Sequence, residues 1–173
     1  MFIFSYKFIN DLIAFKQSAY LVFYQRYYNL LVRFALTYIS NLDDCKDVVS
    51  ILISSLRNDL KLIDANTMIN EKQFIKWLYV NLKHRCLRFI DNKKRKAEVI
   101  YDMDSLSNDK LISNELSTDV YIIFDDELRE IFFLRHVSKH DISFIAEYLN
   151  MHESSIKRRL AKIEKILKDY FGG

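Results

Sequence analysis

Lys76, Lys83, His84, Arg85, Arg88, Lys93, Lys94 and Arg95 are interleaved with Phe74, Trp77, Leu78, Leu82 and Phe89 in one short span. Cations at this density follow a phosphate backbone, and aromatic faces accept unstacked bases at roughly 1 to 3 kcal/mol each, so the combination fits single-stranded nucleic acid. Phe74 and Trp77 fit a hydrophobic core equally well. Near the other end, Ser154, Ser155, Lys157, Arg158 and Lys162 fall away from an apolar stripe of Ile156, Leu160, Ile163 and Leu167. Early positions of the second helix in a helix-turn-helix reach base edges, while lysines and arginines further along hold phosphates. A hairpin of core helices with a solvated basic face has the same pattern. His136 and His140, at i, i+4, could share a helix face, but no Glu or Cys completes a zinc set, so no metal is expected. No nucleophile elbow, phosphate loop or Ser/His/Asp order is visible, so no catalytic site and no cofactor are expected.

These residues need elements to hold them. Half of the 173 residues are apolar, enough for real cores, while only two glycines and no proline are present. Glycine-dependent tight turns and phosphate loops therefore lack their residues, and the chain is expected to be all-α. Between Phe15 and Tyr38 the stripe Leu21, Tyr24, Tyr28, Leu31, Ala35 and Tyr38 predicts an amphipathic helix. Asn41 to Asp44 supply caps and first-turn acids for a second helix through Leu56. After a polar loop at 64–71, a third helix runs over 74–96. Residues 97–120 read as a flexible acidic linker with one short helix. The module 121–173 opens on Asp125 as an N-cap, and three helices are expected around one small core. Asn150 tolerates the left-handed conformation and permits a tight turn without glycine.

Charge follows the same partition. Residues 74–96 carry 8 basic and 1 acidic side chains, 97–130 carry 2 and 10, and 131–173 carry 8 and 5. The net +3 thus conceals two basic blocks separated by an acidic one, as two polyanion-facing modules would require. Cys45 and Cys86 lack any CxxC spacing and read as reduced thiols. Lys7, Asn10 and Asp11 interrupt the apolar start, so no membrane span is expected, and with neither a basic leader nor a small-residue cleavage site in this stretch no signal peptide is expected; a cytoplasmic location is the expectation.

Three segments, in order, resemble the extracytoplasmic-function (ECF) sigma factors, small two-domain members of the sigma-70 family. LDDCKDVVSILISSL is similar to their polymerase-binding helix, typically AEDIVQEVFLRLW. WLYVNLKHRCLRFIDNKKRK resembles WLYRIARNLALDHLRRRKR, the segment that melts and reads the minus-ten element. FDDELREIFFLRHVSKHDISFIAEYLNMHESSIKRRLAKI is similar to the final module, where LPxxxREVF precedes EIAxxLGISxxTVKxRLxRA. The matches cover roughly 15–96 and 120–171. The resemblance implies a region 2-like helical bundle over 1–96 and a region 4-like helix-turn-helix domain over 121–173. It further implies bacterial core RNA polymerase, promoter DNA and an anti-sigma factor as partners, and no enzymatic activity.

By the same resemblance, Asp47, Val48, Val49, Leu52 and Leu56 would dock on polymerase. Trp77, Lys83, His84, Arg88, Lys93, Lys94 and Arg95 would engage the melted minus-ten strand. Ser154, Ser155, Lys157, Arg158, Arg159 and Lys162 would read the minus thirty-five duplex. Ser50 and Ile51 stand where the family has Gln and Glu, and His84 and Arg88 where it has Asn and Asp. Asp125 replaces the proline, Phe144 the Glu of EIA, Asn150 the turn glycine and His152 the N-cap serine.

Overall fold

The computed structural model describes residues 4–63, 70–101 and 123–172, with side chains described through Arg95 in the second of these spans. Among the described residues there are seven α-helices, one short π-helical segment and no strand. The chain divides into two compact units, residues 1–111 and 112–173.

In the first unit α1 (Tyr6–Ile13), α2 (Gln17–Ala35), α3 (Leu42–Lys61) and α4 (Glu71–Tyr101) pack around an aromatic core. The α2 stripe differs in phase from the sequence expectation: Ala19, Phe23, Tyr27, Leu31 and Ala35 face inward, while Leu21 and Tyr24 are exposed. Both stripes are apolar at helical spacing, and only the neighbouring helices select between them. Tyr24 instead stacks on Tyr28 at 4.3 Å at the surface. Phe74 of α4 is fully buried, its ring 5.4 Å from Phe4, 5.6 Å from Tyr27 and 6.2 Å from Phe23.

Polar contacts set the register of α4. Asn70 caps its start through Oδ1, which accepts from the Gln73 amide at 3.0 Å, so the helix begins at Glu71. The Arg26 guanidinium forks onto the Glu71 carboxylate at 2.8 and 3.2 Å, and the Tyr27 hydroxyl donates to the same group at 2.7 Å. Burial pushes the Glu71 carboxyl up, but Arg26 and Tyr27 together outweigh it and hold its pKa below the ordinary value. Burial, then Glu71, push the Tyr27 phenol up. At the other end α4 continues to Tyr101, five residues beyond the expected domain limit at 96. The rest of the expected linker, with its short helix, lies outside the described residues.

α3 begins as its sequence predicts. Asn41 Oδ1 accepts from the amides of Asp43 and Asp44, both at 2.9 Å, and both acids sit at the positive end of the helix dipole. Its core face is Cys45, Val48, Val49, Leu52, Leu56 and Leu60.

The second unit contains α5 (Asp126–Phe132), a π segment (Phe133–Val137), α6 (Ile142–Leu149) and α7 (Glu153–Phe171). Asp125 caps α5 by accepting from Leu128 N–H at 2.9 Å, and Asp141 caps α6 through Phe144 N–H at 2.7 Å. Leu128, Ile131, Phe133, Phe144, Ile145, Ile156 and Ile163 fill one core, and the Tyr148 hydroxyl donates to the buried Glu130 at 2.8 Å. The π segment shifts the register after α5, closing with Ser138 N–H to Phe133 O at 2.9 Å. Phe133 is turned inward, and its neighbour Phe132 is half-buried.

Candidate nucleic-acid interface

α4 is long because it combines an aliphatic inner face with straight-chain cations outside, residues that lose little rotamer freedom in a helix. His84, Arg88, Lys93, Lys94 and Arg95 are all exposed, at spacings that bring His84, Arg88 and Arg95 onto one side. With Leu87, Asp91 and Asn92 these three line an open trough of about 530 Å³. Lys83 is half-buried, its ammonium 5.7 Å from the Tyr38 ring. Lys93 reaches back to α3, 2.9 Å from the Asp44 carboxylate, and lies 6.0 Å from the Phe89 ring. Arg85 leaves the cationic face altogether, donating at 2.7 Å to both Ser55 Oγ and Asp59 Oδ2.

The aromatic half of the expectation is only partly met. Phe74 is a core residue, because it lies on the stripe shared with Leu78, Leu82 and Cys86. Trp77 is half-buried, stacked on Phe74 at 6.1 Å and 19°.

On α3 the residues expected to dock divide into covered and exposed positions. Val48, Val49, Leu52 and Leu56 are at most 2% exposed. They fill the seam that attaches α3 to the unit. Of the five residues expected to dock, Asp47 alone is exposed. The outward stripe it shares is Ser50, Ile51 and Ser54, with Ile51 54% exposed. Both serine hydroxyls donate to their own helix, Ser50 to Lys46 O and Ser54 to Ser50 O, each at 2.8 Å. The signal for this face was present in the sequence, since 47, 50, 51 and 54 recur at helical spacing opposite 48, 49, 52 and 56.

α7 leaves α6 through a tight turn. Asn150 adopts φ 53 and ψ 48, with its N–H directed to Glu147 O at 3.4 Å and the next amide, Met151, bonded to Ala146 O at 2.8 Å. This double closure is the Schellman arrangement, with Asn in the place usually taken by Gly. His152 supplies no side-chain cap; its carbonyl accepts from Ser155 and Ile156 at 2.9 and 3.2 Å, and Glu153 adds an acid to the first turn. Ser154, Lys157, Arg158 and Lys162 point outward, and Ser155 is half-buried. Arg159 does not belong with them. Its Nε is 2.8 Å from Glu127 of α5, and its guanidinium is largely covered. Lys162 lies 3.8 Å from Asp125, with both side chains exposed. Lys165 and Lys168 were missed by the sequence reading and continue the outward stripe from Ser154 and Arg158 at i+7 and i+10 spacing.

The histidines do not share a helix face. His136 lies in the π segment, stacked on Phe132 at 5.0 Å, whereas His140 follows the helix and stacks on Phe144 at 3.8 Å. Burial lowers the His136 pKa, Arg135 and Lys139 lower it further, and Glu164 partly opposes them. Among the described residues no group of three His, Cys, Asp or Glu side chains is placed to hold a metal. Cys45 and Cys86 are both fully buried, and desolvation pushes each thiol up to about 12. Among the described residues no helix is long and apolar enough to cross a membrane.

No protein-family model and no curated protein matches the sequence. Among solved structures, the co-crystal structure of the sigma factor RpoE in complex with the anti-sigma factor NepR from Bartonella quintana does match. Identity is 18%, the TM-score is 0.57, and the match covers 87% of this chain and 96% of that one. At this identity the likeness is one of architecture: this all-α chain has a sigma-factor-like fold.

Proposed function

We propose that the chain is an alternative-sigma-type transcription initiation factor of the extracytoplasmic-function class. It binds bacterial core RNA polymerase, directs it to specific promoters, opens the minus-ten element with α4 and reads the minus thirty-five duplex with α7. What supports this is one pairing: an outward cationic stripe on α4 and a second on α7, in two separate units of a chain with a sigma-factor-like fold. Such a factor catalyses no reaction itself, requires no cofactor, and works in the cytoplasm where its polymerase is.

The roles follow from what each side chain can reach. His84, Arg88, Lys94 and Arg95 track the phosphates of a displaced strand, while the half-buried Trp77 offers an aromatic surface to an unstacked base. Unstacking costs a few kcal/mol, which those contacts offset. On α7, Ser154 and Arg158 face base edges, and Lys157, Lys162, Lys165 and Lys168 neutralise phosphates. Polymerase docks on Asp47, Ser50, Ile51 and Ser54. An anti-sigma protein, the partner named for the Bartonella quintana structure, would restrain this chain by covering the same faces.

Co-purification with core polymerase, followed by transcription from a promoter fragment, tests the proposal. Stable association with promoter-dependent transcripts is expected, and failure of both refutes it. The docking face itself favours a second reading. Ile51 is exposed and both serine hydroxyls bond their own helix, so this surface suits an apolar protein contact as well as a polar one. A sigma-derived regulator that binds a protein partner but opens no promoter would give tight association and no open complex on any DNA.

A further inference from the structure

One ion pair joins the face proposed for polymerase to the face proposed for the melted strand. Asp44, in the first turn of α3, accepts from Lys93 of α4 at 2.9 Å. Asp44, Asp47 and Ile51 stand at i, i+3 and i+7 on α3, so this acid borders the docking stripe. Its backbone amide is held by the Asn41 cap, and its side chain is mostly covered at 26% exposure, whereas Lys93 is 69% exposed. The acid is therefore the fixed member and the lysine the one free to leave.

We propose that Asp44 is an internal counter-ion that occupies Lys93 in the free chain, and that docking of core polymerase beside it releases the lysine to single-stranded DNA. The inference rests on the proposed function. Strand capture and polymerase docking are then coupled through a single exchange of partners. Phosphate must first displace the carboxylate in the free protein. Once a cationic or hydrogen-bond-donating group of the polymerase engages Asp44, no displacement is needed. A pair this exposed is weak, so the exchange is fast and the penalty small, about two- to five-fold in affinity.

The test is binding of a labelled, mixed-sequence single-stranded oligonucleotide by the full chain, free and bound to core polymerase, across salt. Asp44→Asn should raise the affinity of the free chain about two- to five-fold. It should also steepen the salt dependence by up to about 0.7 in log-log slope, the share of one added phosphate contact. In a Lys93→Gln background the gain should vanish, and in the polymerase complex wild type and Asp44→Asn should bind alike. Asp43→Asn is the control. It removes the same first-turn charge, but Asp43 pairs with Lys46 at 3.0 Å, so strand affinity should not change. Equal affinity of wild type and Asp44→Asn overturns the inference, as does an equal gain from Asp43→Asn or a gain that persists on polymerase. If no form binds single strands, free or polymerase-bound, the proposed function fails with it.

Discussion

Replacing Asn150 by alanine probes the joint on which the orientation of α7 depends. Asn150 sits at φ 53, where a β-carbon crowds the following carbonyl and an ordinary residue loses about 1 to 2 kcal/mol. Asparagine recovers part of this through local hydrogen bonding of its short side chain, and glycine has no β-carbon to crowd. Alanine has the steric cost with no compensation. The two closing bonds, from Asn150 N–H at 3.4 Å and Met151 N–H at 2.8 Å, hold only while the left-handed residue is kept. The part that asparagine recovers and alanine does not is at most about 1 kcal/mol, which corresponds to up to about fivefold faster opening-limited exchange. Hydrogen exchange on the full chain, followed by mass spectrometry over α6 and the start of α7, reads this directly. Asn150→Ala should exchange faster by that factor, and Asn150→Gly should stay within about threefold of wild type. Equal exchange in the alanine and glycine variants would refute the reasoning, since only the backbone geometry distinguishes them.

Three other outcomes follow from the placement of neighbouring residues. Leu52→Ala should cost about 2 to 5 kcal/mol in urea unfolding, because the side chain is buried, while Ile51→Glu should leave stability unchanged and abolish co-purification with core polymerase. Lys157→Gln should weaken duplex binding and reduce the log-log salt slope by about 0.9 without altering unfolding, whereas Arg159→Gln should mainly destabilise the second unit by detaching Glu127. Glu71 has a pKa below its ordinary value of 4.5 when folded, so it binds fewer protons than the unfolded chain, and its stabilisation is lost as pH falls through that depressed value. Urea midpoints of wild type should therefore drop more steeply below about pH 4.5 than those of Glu71→Gln; parallel curves would show that the Arg26–Glu71 contact adds no stability.

Local chemistry was legible wherever it is decided by a few adjacent residues. Asn41 and Asp125 cap helices because their short oxygens reach amides two or three positions on, and Asn150 takes the turn because glycine is absent there. The exposed cations of α4 and the outward basic stripe of α7 were equally readable from spacing. Less legible was which of two apolar stripes would be inner on α2, where Leu21 and Tyr24 compete with Ala19 and Phe23. The register shift of the π segment, which exchanges Phe132 for Phe133, left no mark in the periodicity.

Composition and periodicity alone determined that this chain is helical, basic in two places, and free of glycine-built loops. All three properties are sums over local preferences and need no neighbour to be realised. Tertiary structure decided which members of a motif are available to a partner. Val48, Val49, Leu52 and Leu56 resemble a docking helix in sequence yet are covered by the other helices, and the exposed stripe of that helix is Asp47, Ser50, Ile51 and Ser54. Arg85, Lys93 and Arg159 read as three equivalent cations. Packing gives Arg85 to Asp59, Lys93 to Asp44 and Arg159 to Glu127, because each acid comes from a helix remote in sequence and close in space. Charge is a property of the residue, but its availability is a property of what stands within 3 Å.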